Sequence, residues 1–207
     1  MANTDQGGLA RFRKALWIGV VLVGAAGLGV WGYSQIQSGP PASDYASAFG
    51  GAFALTDPEG KPVSDKTLAG KPYAIFFGFT RCPDVCPTSL ARMASLRKQL
   101  GADGMKFNIV FVSVDPERDT KPELAQYLTL FDTPIIGASG TATETAQAVK
   151  AFHVFYERVP NGENDYTIDH TASVFLMDAM GRFVSTIAHD ESQETALAKL
   201  KRLVSQS

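Results

Sequence analysis

The sequence predicts an α/β domain behind a single membrane-spanning helix, and three observations predict it. Strand-length apolar runs alternate with segments of helical periodicity from about residue 48 onward. A Cys-x-x-x-Cys pair sits between the first long strand and the helix after it, and Ala15–Tyr33 is a run of 19 residues without a charge. At 207 residues, 45% hydrophobic and 19% charged, the chain has room for one medium domain plus that apolar extra.

The N-terminal run comes first. At ~1.5 Å per residue a 19-residue helix spans ~28 Å, close to the ~30 Å hydrocarbon core. Trp17, Trp31 and Tyr33 stand near its ends, where amphipathic rings favour the interface. A cleaved signal peptide is the rival reading, but its apolar region is usually ~7–15 residues with a small-x-small site close behind. The good candidate here, Ala46-Ser47-Ala48, lies far beyond the run, so an uncleaved anchor over residues 15–33 is expected. Arg11, Arg13 and Lys14 precede it and no Lys or Arg follows until Lys61, which keeps residues 1–14 in the cytoplasm and the main domain outside. Those 14 residues are too short, and too poor in Ser and Arg, for a mitochondrial transit peptide. The expected location is therefore a bacterial inner membrane with a periplasmic domain. Residues 34–47, SQIQSGPPASDYAS, form a small, polar, proline-containing linker, and the domain occupies 48–207.

Charge narrows the function classes. Residues 1–14 carry three basic side chains and one acidic, and the remainder carries 16 basic and 20 acidic. An acidic outer domain without a basic cluster argues against nucleic-acid binding.

Within the domain, AFALTDPEGKPVS suggests a short hairpin turning at Asp57-Pro58-Glu59-Gly60. Tyr73–Phe79, YAIFFGF, is a continuous apolar run of the kind buried in a central strand. A helix is expected from near Pro87, with Leu90, Met93, Leu96 and Leu100 on one face. Phe107–Val114 is a second buried strand, and 121–131 and 141–152 are helices, the latter opening with the capping box Thr141-x-x-Glu144. Ser173–Met177 and Arg182–Ala188 flank the turn Asp178-Ala179-Met180-Gly181, and Glu191–Val204 closes the chain as an amphipathic helix. Both faces of the sheet would be covered. A cysteine pair between a first long strand and its helix points to a thioredoxin-like fold.

The two cysteines, Cys82 and Cys86, are the only ones. So short a loop constrains the unfolded chain little, which makes stabilisation a poor reason for a bridge and favours chemistry. Both sulfurs should lie near a helix N-terminus, whose dipole favours thiolate. Spacing i and i+4 places them on one face of a helical turn. Three intervening residues, against two in redox thioredoxins, make the pair a metal pincer or a redox dithiol, with an inert bridge as the lesser alternative. A third ligand is worth seeking among His153, His170 and His189. His170 stands between the polar stretch ERVPNGENDYTID and the next apolar strand, a junction that can lie at the end of the sheet beside the cysteines. His153 ends a helix and His189 precedes one, so both are expected to be structural. Two thiolates and an imidazole suit Cu(I), whereas zinc usually wants four ligands. Asp84 and Asp169 neighbour the proposed ligands, and Asp169 can orient His170, although solvated surface carboxylates are the plainer reading. Asp115 and Asp119, in VSVDPERDT at the end of the second strand, can shape a site or dock a partner. Turn chemistry, with Asp119 or Thr120 capping the next helix, is preferred.

Three segments in this order and spacing, GFTRCPDVCPT, VSVDPERDT and YTIDHTASVFLM, resemble the Sco/SenC copper-chaperone family over roughly residues 50–205. The resemblance implies a thioredoxin-like fold with an added β-hairpin, copper held by Cys82, Cys86 and His170, and assembly of the dinuclear copper centre of cytochrome c oxidase. The copper-centre subunit of that oxidase is then the expected partner, with other copper chaperones or thiol reductases beside it. A metallochaperone that turns over nothing leads. A thiol–disulfide oxidoreductase acting on a copper-site apoprotein is second, and a redox or copper sensor third.

Overall fold

A computed structural model of the chain describes residues 13–14, 16–19, 23–25, 27–29, 48–163 and 165–206. The expected cytoplasmic segment 1–14 lies mostly, and the linker 34–47 wholly, outside those residues, as do nine of the 19 residues of the expected anchor 15–33. The described stretches between 13 and 29 are helical, and among the described residues no helix is long and apolar enough to cross a membrane.

The domain begins with an antiparallel hairpin, β1 (Ala54–Thr56) and β2 (Pro62–Ser64), whose turn closes by hydrogen bonds from Asp57 N to Lys61 O and from Gly60 N to Asp57 O. Ser64 caps a short helix, α1 (Asp65–Leu68), which was not expected from the sequence. Next come β3 (Tyr73–Gly78), α2 (Val85–Gln99), a 3-10 segment (Gly101–Lys106), β4 (Asn108–Ser113), α3 (Lys121–Leu128), β5 (Ile136–Ala138) and α4 (Ala142–Ala151). A two-stranded sheet, β6 (Tyr156–Pro160) with β7 (Tyr166–His170), precedes β8 (Val174–Met177), β9 (Phe183–Ile187) and α5 (Gln193–Ser205). Helices 121–131 and 141–152 are thus each slightly shorter than their sequence pattern, and α2 starts two residues before Pro87. The capping boxes explain the starts: Thr120 with Glu123, and Thr141 with Glu144.

The main sheet runs β5-β4-β3-β8-β9, with β3, β4 and β5 parallel, β8 antiparallel to β3, and β9 antiparallel in turn to β8. All six residues of β3 are buried, which is why that segment reads as an unbroken apolar run rather than an alternating one. Its side chains still alternate between two faces. Phe77 meets Phe152 at 5.2 Å and Phe175 at 6.3 Å between ring centroids. Phe76 meets Phe111, which stacks in turn near Tyr127 of α3. Two successive right-handed crossovers, β3-α2-β4 and β4-α3-β5, place α2 and α3 on that second face. α5 packs against α2, and α4 against β1. The parallel strands end together at Gly78, Ser113 and Ala138, so the loops that follow them converge on one edge.

Gly78 marks where helix and sheet approach most closely. A Cβ there would lie 2.6 Å from Cys86 Sγ and 3.0 Å from Phe111 Cε2. Gly78→Ala should therefore lower stability by about 1–3 kcal/mol through overpacking. A urea-unfolding midpoint unchanged from the parent would show that the contact is looser than described.

Candidate metal centre

The turn Phe79–Asp84 carries the chain from β3 into α2. Cys82 N donates to Phe79 O at 3.3 Å, and Cys86 N donates to Cys82 Sγ at 3.3 Å. The two cysteines therefore do not share one face of a helix, as their spacing suggested. Cys82 precedes α2 and Cys86 lies in its first turn, because the chain is still turning at Pro83. Asp84, the N-cap residue, makes no side-chain cap bond; its carboxylate accepts instead from Thr88 Oγ1 at 3.0 Å. One of the helix's free N–H groups is thus satisfied by the Cys82 sulfur.

His170 arrives from the other direction, at the end of β7. Its ring lies edge-on to Phe76 and Phe79, with centroids 5.8 and 5.9 Å away. Nδ1 is 3.1 Å from Thr171 O, and a carbonyl only accepts, so Nδ1 carries the proton. Nε2 lies 3.3 Å from Cys86 Sγ. The orienting group is this backbone carbonyl and not Asp169, which is exposed and directly opposite Glu157 across the ladder. Cys82, Cys86 and His170 offer three donor atoms within 4.8 Å of one another. His153 is exposed at the C-terminal end of α4 with φ 51°, its ring edge on Phe49. His189 Nδ1 lies 3.3 Å from Ser89 Oγ. Neither belongs to the cluster.

The VSVDPERDT segment contributes more than turn chemistry. Thr120 caps α3, leaving Asp119 free for another task. Asp119 is 2% exposed; its Oδ2 accepts from Thr80 N at 3.0 Å and Ser113 Oγ at 2.6 Å, and its Oδ1 from Thr80 Oγ1 at 2.6 Å. This carboxylate ties the start of the cysteine turn to the end of β4. Asp115 is wholly buried. The sequence signal for both was an aspartate at the C-terminal end of a buried strand, which turn statistics explain equally well.

A cleft of about 270 Å³ opens beside the sulfurs, lined by Phe79, Cys82, Val85, Ile168 and His170, with Asp84 and Asp169 at its edge. Cys82 is half-buried, whereas Cys86 is fully buried. The Cys86 thiol, donating to Cys82, draws the Cys82 value down to about 4 against the cost of burial, helped by His170 and by the N–H groups of Cys86 and Asp84. The same contact, with burial, pushes Cys86 up. The contact therefore favours thiolate at Cys82 and thiol at Cys86. Two soft sulfurs and an imidazole, with no carboxylate in the cluster among the described residues, fit a soft cation such as Cu(I) and disfavour hard oxygen-seeking ions.

Residues 41–205 match the SCO1/SenC family. Protein SCO2 of Saccharomyces cerevisiae mitochondria is 34% identical over 160 residues, 76% of this chain and 53% of its own length. The chain spans about half the length of the mitochondrial relatives it matches. Among solved structures, Bradyrhizobium japonicum ScoI with copper bound is 49% identical, with a TM-score of 0.70 over 75% of this chain and 99% of that one. BsSco, described as a member of the Sco family of cytochrome c oxidase assembly proteins with a disulfide switch, is 25% identical, with a TM-score of 0.59 over 76% and 94% of the two chains.

The charge division between the sulfurs is measurable. With Cys82 near 4, its alkylation by iodoacetamide should be close to its plateau by pH 6, where an ordinary thiol still gains about tenfold per pH unit. Cys86 should remain unmodified until the domain unfolds. Mass spectrometry of the metal-free, reduced protein resolves the two sites. A Cys82 rate still climbing tenfold per unit from pH 6 to 8 would remove the thiolate.

Proposed function

We propose, for a chain that belongs to the SCO1/SenC family, that it is a membrane-anchored carrier binding copper through Cys82, Cys86 and His170 and delivering it to the dinuclear copper centre of cytochrome c oxidase. One observation carries the reading: three soft donors, two of them 84 residues apart in sequence, converge within 4.8 Å. Their asymmetry suits a carrier. Cys86, buried, and His170, fixed by Thr171 and two phenylalanine rings, form the retaining side. Cys82, half-buried at the cleft, is the side from which an incoming ligand of the copper-centre subunit can displace a sulfur.

A second reading rests on the same pair. An accessible thiolate at Cys82 beside a protonated Cys86 is the division of labour of an attacking and a resolving thiol. It makes the chain a reductase for the cysteines of a copper-site apoprotein, with other copper chaperones or thiol reductases as partners. His170 discriminates between the two, because copper retention needs it and dithiol exchange does not.

The reduced domain should bind one Cu(I). Cys82→Ser or Cys86→Ser should abolish tight binding, since a hydroxyl is a poor ligand for a soft cation, while His153→Ala and His189→Ala leave stoichiometry unchanged. In cells at matched protein level and limiting copper, His170→Ala and Cys82→Ser should both lose oxidase activity. Near-normal activity from the histidine variant would reject the carrier and promote the reductase.

We place the domain outside the cytoplasm, held to a bacterial inner membrane by residues 15–33. The basic flank Arg11, Arg13 and Lys14 and the uncharged run after it support that orientation. A periplasm-dependent reporter fused after Ser207 should be active. Activity of a cytoplasm-dependent reporter at the same point would reverse the topology.

A further inference from the structure

His170 is delivered by a hairpin that, among the described residues, shares no ladder with the main sheet, β6 and β7 pairing with each other. Something else must fix where β7 lies. Side chains alternate along a strand, so Tyr166, Ile168 and His170 occupy one face of β7, and Ile168 is 4% exposed beneath it. Tyr166 stands four residues from His170, ~14 Å along the strand at ~3.4 Å per residue.

That tyrosine is gripped on every side. Its Oη donates to Asp115 Oδ1 at 2.8 Å. The Arg118 guanidinium lies 3.5 Å from the centre of its ring, and Arg158 lies 4.7 Å from it. Arg118 also donates through Nε to Asp115 Oδ2 at 2.5 Å, and through Nη1 to Tyr166 O at 2.8 Å and Asp165 Oδ1 at 2.9 Å. Arg158 is held in turn by Glu117 at 2.9 Å. Asp115, Glu117 and Arg118 all belong to the loop whose Asp119 holds Thr80 and thereby the cysteine turn.

We infer that Tyr166, clamped by Asp115 and Arg118, is the positioning residue that sets His170 against Cys82 and Cys86, so that one loop registers both halves of the centre. The inference rests on the reading of those three residues as a copper centre. A stacked guanidinium and a phenol bonded to a buried carboxylate resist sliding and rotation of β7 together, which a single apolar contact at Ile168 does not.

The test is a double-mutant cycle in the full domain. Tyr166→Phe keeps the ring and its stacking but loses the bond to Asp115. Cu(I) affinity, measured by competition with a chromophoric chelator, should fall by roughly tenfold or more, as for loss of other partners that orient metal ligands. In a His170→Ala background the same change should cost nothing further, because the clamp acts only through the histidine. Additive losses would assign Tyr166 to general stability and overturn the inference. A readout without metal runs in parallel: nuclear Overhauser contacts between the His170 ring and the Phe79 ring should weaken in Tyr166→Phe, while amide protection in β3 and β4 is retained. Should the parent domain bind no Cu(I), the copper reading fails and this second readout decides the clamp alone. Persistence of those ring contacts in the variant overturns it. Collapse of the whole domain in both Tyr166→Phe and Arg118→Lys would do the same.

Discussion

Two sulfurs from a strand-to-helix turn and one imidazole from a separate hairpin meet within 4.8 Å, although among the described residues no backbone ladder joins the two segments. That constraint organises the edge of the domain where β3 and β4 end. Asp119 fastens the sulfur side through Thr80, and Asp115 with Arg118 fastens the imidazole side through Tyr166. Both aspartates come from one loop that also receives Ser113 of the buried strand β4. The sheet is therefore the common reference, and the loop transmits its position to both arms.

Neither carboxylate is favourable to bury, and the two are compensated differently. Asp115 has a guanidinium in contact on one oxygen and a phenol on the other, so its charge is paired as well as hydrogen-bonded. Asp119 has two hydroxyls and one amide and no cation bonded to it. Burial lifts its carboxyl value despite those bonds, and the charge of Asp115 adds to the lift. Losing one partner from such a group leaves a buried acceptor unsatisfied, at about 1–3 kcal/mol. Both aspartates thus lock the loop in place more than they add to net stability.

The same economy of partners appears at the ligands. The Cys82 sulfur accepts a helix N–H that would otherwise lack a partner, and this stabilises it as thiolate. Thr171 O accepts from Nδ1 of His170 and so turns Nε2 toward Cys86 Sγ. These backbone contacts add to the larger effect of the Cys86 thiol on Cys82, and they make the centre depend in part on the path of the main chain. Phe76 and Phe79 complete the setting by holding the imidazole edge-on in an apolar wall.

Much of this was legible in the residues themselves. The unbroken apolar runs at 73–79 and 107–114, the capping boxes, and the turns at Asp57–Gly60 and Asp178–Gly181 determine local conformations through chemistry that acts over a few residues. The cysteine spacing and His170 before an apolar strand pointed to the candidate donors that cluster here, because soft donors are chemically distinctive wherever they stand. The β6–β7 hairpin had no such pattern: β6 is largely exposed, so neither alternation nor an apolar run announced it. Asp169 is a solvated carboxylate, the plainer of its two readings, because strand alternation turns neighbours to opposite faces, and a carbonyl orients His170. Asp115 and Asp119 looked like turn and cap residues, because a sequence shows an aspartate beside a proline or a threonine but not the tyrosine 51 residues away or the threonine 39 residues back that its carboxylate meets. Sequence determined which atoms can bind metal; only tertiary structure decided how those atoms are aimed, since aim is set by contacts between segments that the chain order keeps apart.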